Sequence, residues 1–339
     1  MTDGARIGLE LVALFGISAA VSAAMLHVLR PLLKRYALAR PNARSSHRAP
    51  TPQGGGIAVI AATIVAAVGA AVYAPEVFRE PQHLLTILAG SIALAALGAT
   101  DDIRPQPPLL RLIAQAIVVI IIVSVLPAGR FVPWLPLVVE RALMFVAMLW
   151  FVNLFNFMDG IDWIAVAETV PLTLALALLG LLGALPGDVS LVALALCGAM
   201  VGFAPYNKPI ARVFLGDVGS LPIGLLLAWM LALLAVGGHL AAALLLPLYY
   251  LADATITLLR RLIKGEPVLE AHRSHCYQRA LDAGMSIYAI VGRIFALNLV
   301  LAGLALATLL SNALTSQVAL LAAGCLLVGL TLYSFARKP

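Results

Sequence analysis

The chain has 339 residues, 62% of them hydrophobic and 11% charged, where a soluble domain carries roughly 45–50% apolar and about 25% charged residues. This composition excludes a soluble globular protein, and it excludes a disordered one, since chains that stay unfolded are poor in apolar surface. The net charge is +6, an excess whose meaning in a membrane protein depends on where it falls.

In chain order, eleven apolar runs are long enough to cross a bilayer as helices: 8–29, 57–73, 84–100, 110–126, 135–152, 165–185, 189–204, 221–236, 239–259, 287–310 and 318–335. Eleven crossings of about 20 residues use about 220 positions. Little remains for a soluble domain, so 1–339 reads as one integral membrane domain. The runs are continuous and rich in Ala and Leu, without the alternation of barrel strands, so the class is all-α and strands are not expected. The first run reads as an uncleaved anchor, because Asp3 and Glu10 precede or enter it against a single Arg6 and it exceeds a signal-peptide core. Cys197, Cys276 and Cys325 give no even framework, and no disulfide is expected.

Of the 22 basic residues, 18 lie in connections after odd-numbered runs or in the C-terminal tail, and only Arg6, Arg79, Arg130 and Arg141 lie opposite. By the positive-inside rule the rich side is cytoplasmic, with the N-terminus outside and the C-terminus inside. The polar side chains able to do chemistry fall on that same side, in loops near 30–56, 100–110, 152–165, 204–220 and 260–286. One polar face on an apolar bundle points to a site that takes a water-soluble, anionic substrate from the cytoplasm, and no nucleic-acid partner is implied.

Five stretches carry that chemistry. Asp101 and Asp102 are adjacent acids closing the third run; they repel one another and sit where a helix dipole is negative, so a compensating cation, metal or Arg is expected. Asn153, Asn156, Asp159 and Asp162 recur every three residues, which in a helix makes one slanted stripe of oxygen-bearing groups; Gly160 is placed to open the helix. Such groups suit Mg²⁺ or Mn²⁺, or hydrogen bonds to a sugar or base. Asp217, between Gly216 and Gly219, is either a helix N-cap or a ligand, and both roles stay open. His272, Arg273 and His275 lie among further arginines and suit a diphosphate, with a zinc site including Cys276 or a lipid-headgroup patch as rivals. Arg44, His47 and the glycines 54–56 form either an anion-binding nest or a turn. Asn207 joins the same polar face. Asp253 lies inside the ninth run, where an acid should face the bundle interior; it is either a partner that supports a site residue or without a role, and it stays unassigned.

The stretches RSSHRAPTPQGGG, GATDDIRP, NLFNFMDGID, FLGDVGS and AHRSHCYQR, in this order from about 44 to 279, resemble the polyprenyl-phosphate N-acetylhexosamine-1-phosphate transferases, including the bacterial enzymes that start O-antigen and related cell-envelope glycans. The related phospho-N-acetylmuramoyl-pentapeptide translocases carry three consecutive histidines that AHRSH lacks, and a lysine where Arg104 stands, which sets this chain apart from the peptidoglycan role. The resemblance implies Mg²⁺-dependent transfer of a sugar-1-phosphate from a UDP-N-acetyl sugar to undecaprenyl phosphate at a bacterial inner membrane, releasing UMP. It assigns Asp217 to the metal, Asp101 and Asp102 to lipid phosphate and metal, and Asp159 to the nucleotide-sugar site. Asn153 and Asn156, with Asp162, Asn207, Arg44 and His47, would line the substrate. His272, Arg273 and His275 would hold the diphosphate. It also allows a homodimer. The rival from another class is a transporter of an anionic or metal-linked substrate, disfavoured because the acids gather at one surface rather than on broken helices at the midplane.

Overall fold

The computed structural model describes residues 3–39, 50–78, 80–127, 129–132, 134–267 and 273–336; Arg44, His47 and His272 lie outside them. The chain is an all-α membrane bundle: α1 (Asp3–Tyr36), α2 (Gly56–Tyr73), α3 (Pro81–Ile103), α4 (Pro108–Ser124), α5 (Leu137–Met158), α6 (Ile164–Leu181), α7 (Gly187–Asn207), α8 (Asp217–Val236), α9 (Leu240–Leu245), α10 (Leu248–Ile263), α11 (Cys276–Asp282), α12 (Ile287–Ala307) and α13 (Leu314–Ala336). Among the described residues nine helices are long and apolar enough to cross a membrane. The other two predicted crossings differ. The fourth is α4, of 17 residues, and the ninth is divided at Pro247, which ends α9 and opens α10 because its ring cannot continue a helix.

Helix starts follow from proline chemistry: Pro81 and Pro108 occupy first turns, where a missing N–H costs nothing, and Pro136 and Pro186 immediately precede α5 and α7. The fifth predicted run ends at 152, but α5 continues to Met158 and so carries Asn153 and Asn156. Helix α8 is apolar all round and enclosed by α2, α3, α5 and α6, with every residue from Val218 to Ala235 buried. Its starting turn is packed by absent side chains. A Cβ at Gly56 would overlap the Cα of Gly219, and one at Gly98 would overlap the carbonyl of Asp217. In lipid, where apolar surface gains nothing by leaving the solvent, such close backbone approach is what holds helices together. Gly56→Ala is therefore expected to lower stability by about 1–3 kcal/mol. Gly69→Ala, on the same helix with open space around it, should be neutral or slightly stabilising. Thermal unfolding of the two variants in detergent checks this.

Contrary to expectation, two short strands form: β1 (Leu38–Ala39) pairs antiparallel with β2 (Thr51–Pro52). Pro52 favours extended backbone, and the segment is laid between two others. Gln53 N–H donates to Ala37 O, and Phe214 N–H donates to Pro52 O, both at 2.8 Å. Gly55 and Gly56 N–H donate to Phe214 and Leu215 carbonyls at 2.8 Å each. The glycine run is thus a docking strip for the 213–215 segment, and those two N–H groups are not a free anion nest.

Candidate functional site

The segments after α1, α3, α5, α7 and α10 meet at one end of the bundle. Asp102 is the pivot. Although it sits in the last turn of α3, its carboxylate accepts Asp217 N–H at 2.9 Å and Val218 N–H at 3.1 Å, the first two of α8, and Gln53 also donates to it. The unfavourable dipole of α3 is offset by the favourable one of α8. This resolves the two roles left open for Asp217: the α8 terminus is capped by another helix, and Asp217 is the first helical residue with its side chain turned to the site. Gly216 allows the approach, with φ +77° and an Asp102 oxygen where a Cβ would stand.

Asp217 Oδ1 accepts from Asn156 Nδ2 at 2.8 Å, and Asn156 also reaches Ser220 Oγ at 2.8 Å. Asp217 Oδ2 faces Arg111 at 3.2 Å; the same Arg111 nitrogen donates to Asp101 Oδ2 at 2.7 Å. Asp101 Oδ1 accepts from Gln106 N–H at 2.6 Å. Arg111 is the compensating cation expected for the acid pair. Asn153 donates to Gln115 Oε1 at 2.7 Å and lies one turn deeper along α5.

The predicted stripe of four stops at its second member, because α5 ends at Met158. Asp159 is the C-cap, and Asp162 lies beyond the helix. Asp162 is buried, and its Oδ2 accepts Ala211 N–H at 2.9 Å. Asn207, also buried, accepts Trp163 N–H at 2.7 Å and donates to Val213 O at 3.1 Å. These two tie the loop after α5 to the loop after α7, which ends on the 213–215 strip; their polar atoms are turned to backbone rather than to the opening. Asp159 is half-buried and points among acids: burial first, then the charges of Asp217, Asp162 and Asp102, push its carboxyl up to about 7.

That shift has a sign. A carboxyl raised from 3.8 to about 7 on folding favours the fold fully below 3.8, and that contribution is lost as pH rises to and through 7. In metal-free buffer Asp159→Asn is expected to melt above wild type at pH 8, by a margin that shrinks toward pH 4; equal margins at both would contradict this. Differential scanning fluorimetry across pH measures it.

His275 is buried at the start of α11, its ring stacked on Tyr277 with centroids 5.8 Å apart. Tyr277 in turn packs on Gly160 and brings its hydroxyl within 3.5 Å of Phe157 O, so α11 lies against the end of α5 that carries Asp159. Arg273 pairs with Asp282 at 2.8 Å. Sequence reasoning missed Arg111, Gln53 and Gln115 as site residues. Arg111 read only as one more cytoplasmic cation, and its signal was the acid pair's unmet need for a counter-charge.

Asp101, Asp102, Asp159 and Asp217 form a chain of neighbouring charges, with Arg111 paired to Asp101 and Asp217. Among the described residues no three Asp, Glu, His or Cys side chains are close enough to form a protein-only metal shell. Mg²⁺ does not require one, since it is usually held by one or two carboxylates with water and substrate phosphates. An oxygen-only donor set with excess negative charge fits such an ion.

A model of "Glycosyl transferase family 4" matches residues 84–235, the stretch that includes Asp101 to Asp217. The chain is 27% identical over 296 residues to a probable undecaprenyl-phosphate N-acetylglucosaminyl 1-phosphate transferase of Bacillus subtilis, covering 80% of each chain. It is 28% identical over 325 residues to a decaprenyl-phosphate N-acetylglucosaminephosphotransferase of Mycobacterium tuberculosis, covering 85% of this chain and 80% of the relative. Over 196 residues it is 29% identical to a phospho-N-acetylmuramoyl-pentapeptide-transferase of Leuconostoc mesenteroides, covering 52% and 60%. The family match includes the acidic site, and the relatives align along most of the bundle, so the chain is similar to membrane phosphoglycosyl transferases of glycosyl transferase family 4.

Proposed function

We propose that this protein transfers an N-acetylhexosamine-1-phosphate from a UDP-N-acetyl sugar to undecaprenyl phosphate, releasing UMP, as a first membrane step of a cell-envelope glycan such as O antigen. The observation that carries this reading is the gathering of Asp101, Asp102, Asp159 and Asp217, two of them paired with Arg111, at one end of a membrane bundle, where a lipid headgroup and a nucleotide sugar can meet. The relatives' names support a polyprenyl-phosphate acceptor and favour N-acetylglucosamine as the sugar. The charge asymmetry supports a site on the cytoplasmic face of a bacterial plasma membrane.

A phosphate monoester has a second pKa of about 6, so the lipid phosphate is largely a dianion at pH 7 and attacks without a general base. Its oxygen bonds to the sugar-bearing phosphorus, the bond to the bridging oxygen breaks, and UMP leaves with that oxygen. The obstacle is bringing two anions together. Mg²⁺ or Mn²⁺, when bound, spreads the diphosphate's charge. Asp217, with Asp159 beside it, would hold the ion. Asp101 fixes Arg111 toward the incoming phosphate, and Asp102 fixes the start of α8 and with it Asp217. Asn153 and Asn156 line the nucleotide-sugar side, and His275, Arg273 and His272 take the diphosphate. Asp162 and Asn207 act on the substrate through the loops they hold.

The test is UMP release by purified protein from UDP-N-acetylglucosamine. Release is expected only with undecaprenyl phosphate and Mg²⁺ both present. No release from UDP-linked N-acetylglucosamine, N-acetylgalactosamine or a 6-deoxy relative would overturn the reading and favour transport.

A further inference from the structure

Asp253 in α10 is fully buried and accepts four hydrogen bonds. Two come from its own helix, Tyr249 Oη at 3.1 Å and Thr257 Oγ1 at 3.2 Å. The other two come from the first N–H groups of α11, Cys276 at 2.8 Å on Oδ1 and Tyr277 at 3.3 Å on Oδ2. Its Oδ1 also stands 3.6 Å from His275 Nδ1. A buried carboxylate with this many donors is satisfied in place and cannot swing to substrate. What it fixes is the first turn of α11, where Tyr277 meets Phe157 and Gly160 beside Asp159; the helix also packs on α13 and α12.

We propose that Asp253 is a positioning residue for the reaction: by seating the first turn of α11 it sets where His275 stands relative to Asp159. This rests on the transferase reading for its kinetic part and on none of it for its structural part. Cys276 reports the seat directly. It is buried, so maleimide reaches it chiefly when α11 opens. The full-length protein with Cys197 and Cys325 replaced by Ala is labelled in membranes with N-ethylmaleimide. Asp253→Asn, nearly isosteric, should speed labelling about tenfold or more, since loss of charge-assisted bonds opens the segment more often. Tyr249→Phe and Thr257→Ala, which leave both N–H contacts intact, should label near the wild-type rate. Should Asp253→Asn not accumulate, Asp253→Ser, too short to reach both N–H groups, is read the same way.

In the UMP assay Asp253→Asn should raise the UDP-sugar KM more than it lowers kcat, and combined with His275→Ala it should be no worse than His275→Ala alone, because one acts through the other. Unchanged labelling, equal labelling in the Tyr249 and Thr257 variants, or multiplicative kinetic losses would each overturn the proposal. A wild-type protein that releases no UMP would sink the transferase reading, while labelling would still decide the role of Asp253.

Discussion

Asp217→Asn should lower UMP release by about 10²- to 10³-fold, the scale of losing one group aimed at developing charge in the transition state, while leaving the protein as stable as wild type or more so. The two halves share one cause. Asp217 stands among Asp102, Asp101 and Arg111, with only Arg111 of opposite sign, so neutralising it relieves repulsion in the resting protein. The amide remains able to face Asn156, which keeps the start of α8 in place. Turnover and the melting temperature in metal-free buffer are the measurements. A variant that loses activity and stability together would show Asp217 to be structural. Added Mg²⁺ should raise the melting point of wild type and leave that of the variant nearly unmoved.

Asp102→Ala should do the opposite to stability. Its carboxylate takes the first two N–H groups of an enclosed helix and the amide of Gln53, and removing it strands buried donors at a dipole end. The expected loss is about 2–4 kcal/mol, a cap plus unsatisfied groups, seen as a fall in melting temperature at every pH above the carboxylate range. Asp102→Asn, which keeps one acceptor oxygen, should lose about half as much. Activity should fall in both, in step with how far α8 is displaced. If Asp102→Ala melts with wild type while activity vanishes, the carboxylate serves the reactants directly.

The apolar runs disclose most of this fold because in lipid a helix is nearly the only way to satisfy the backbone, so length and hydropathy locate crossings to within a turn or two. The gathering of acids was legible too, as parity: connections after odd-numbered runs share a side. What the sequence does not disclose is which polar group meets which. Asp102 and Asp217 are 115 positions apart, and the packing of α3 on α8, closest at Gly98 and Gly216, brings them together. The stripe from Asn153 to Asp162 has one spacing but two fates. Asn156 reaches Asp217, whereas Asp162 holds Ala211 N–H, since the helix that would have kept them aligned stops at Met158. Pro247 marked the break in the ninth run in plain sight, yet an average over 239–259 stays apolar across it. Asp253 stood out only as an expensive acid, and its partners lie across a loop.

Helices α8 and α11 both begin on a carboxylate borrowed from another helix, and in each pair the lender comes first in the chain, 102 before 217 and 253 before 276. Because synthesis runs from the N-terminus, each accepting carboxylate is made before the helix start that it holds, so the reactive corner is completed only when the later segment arrives.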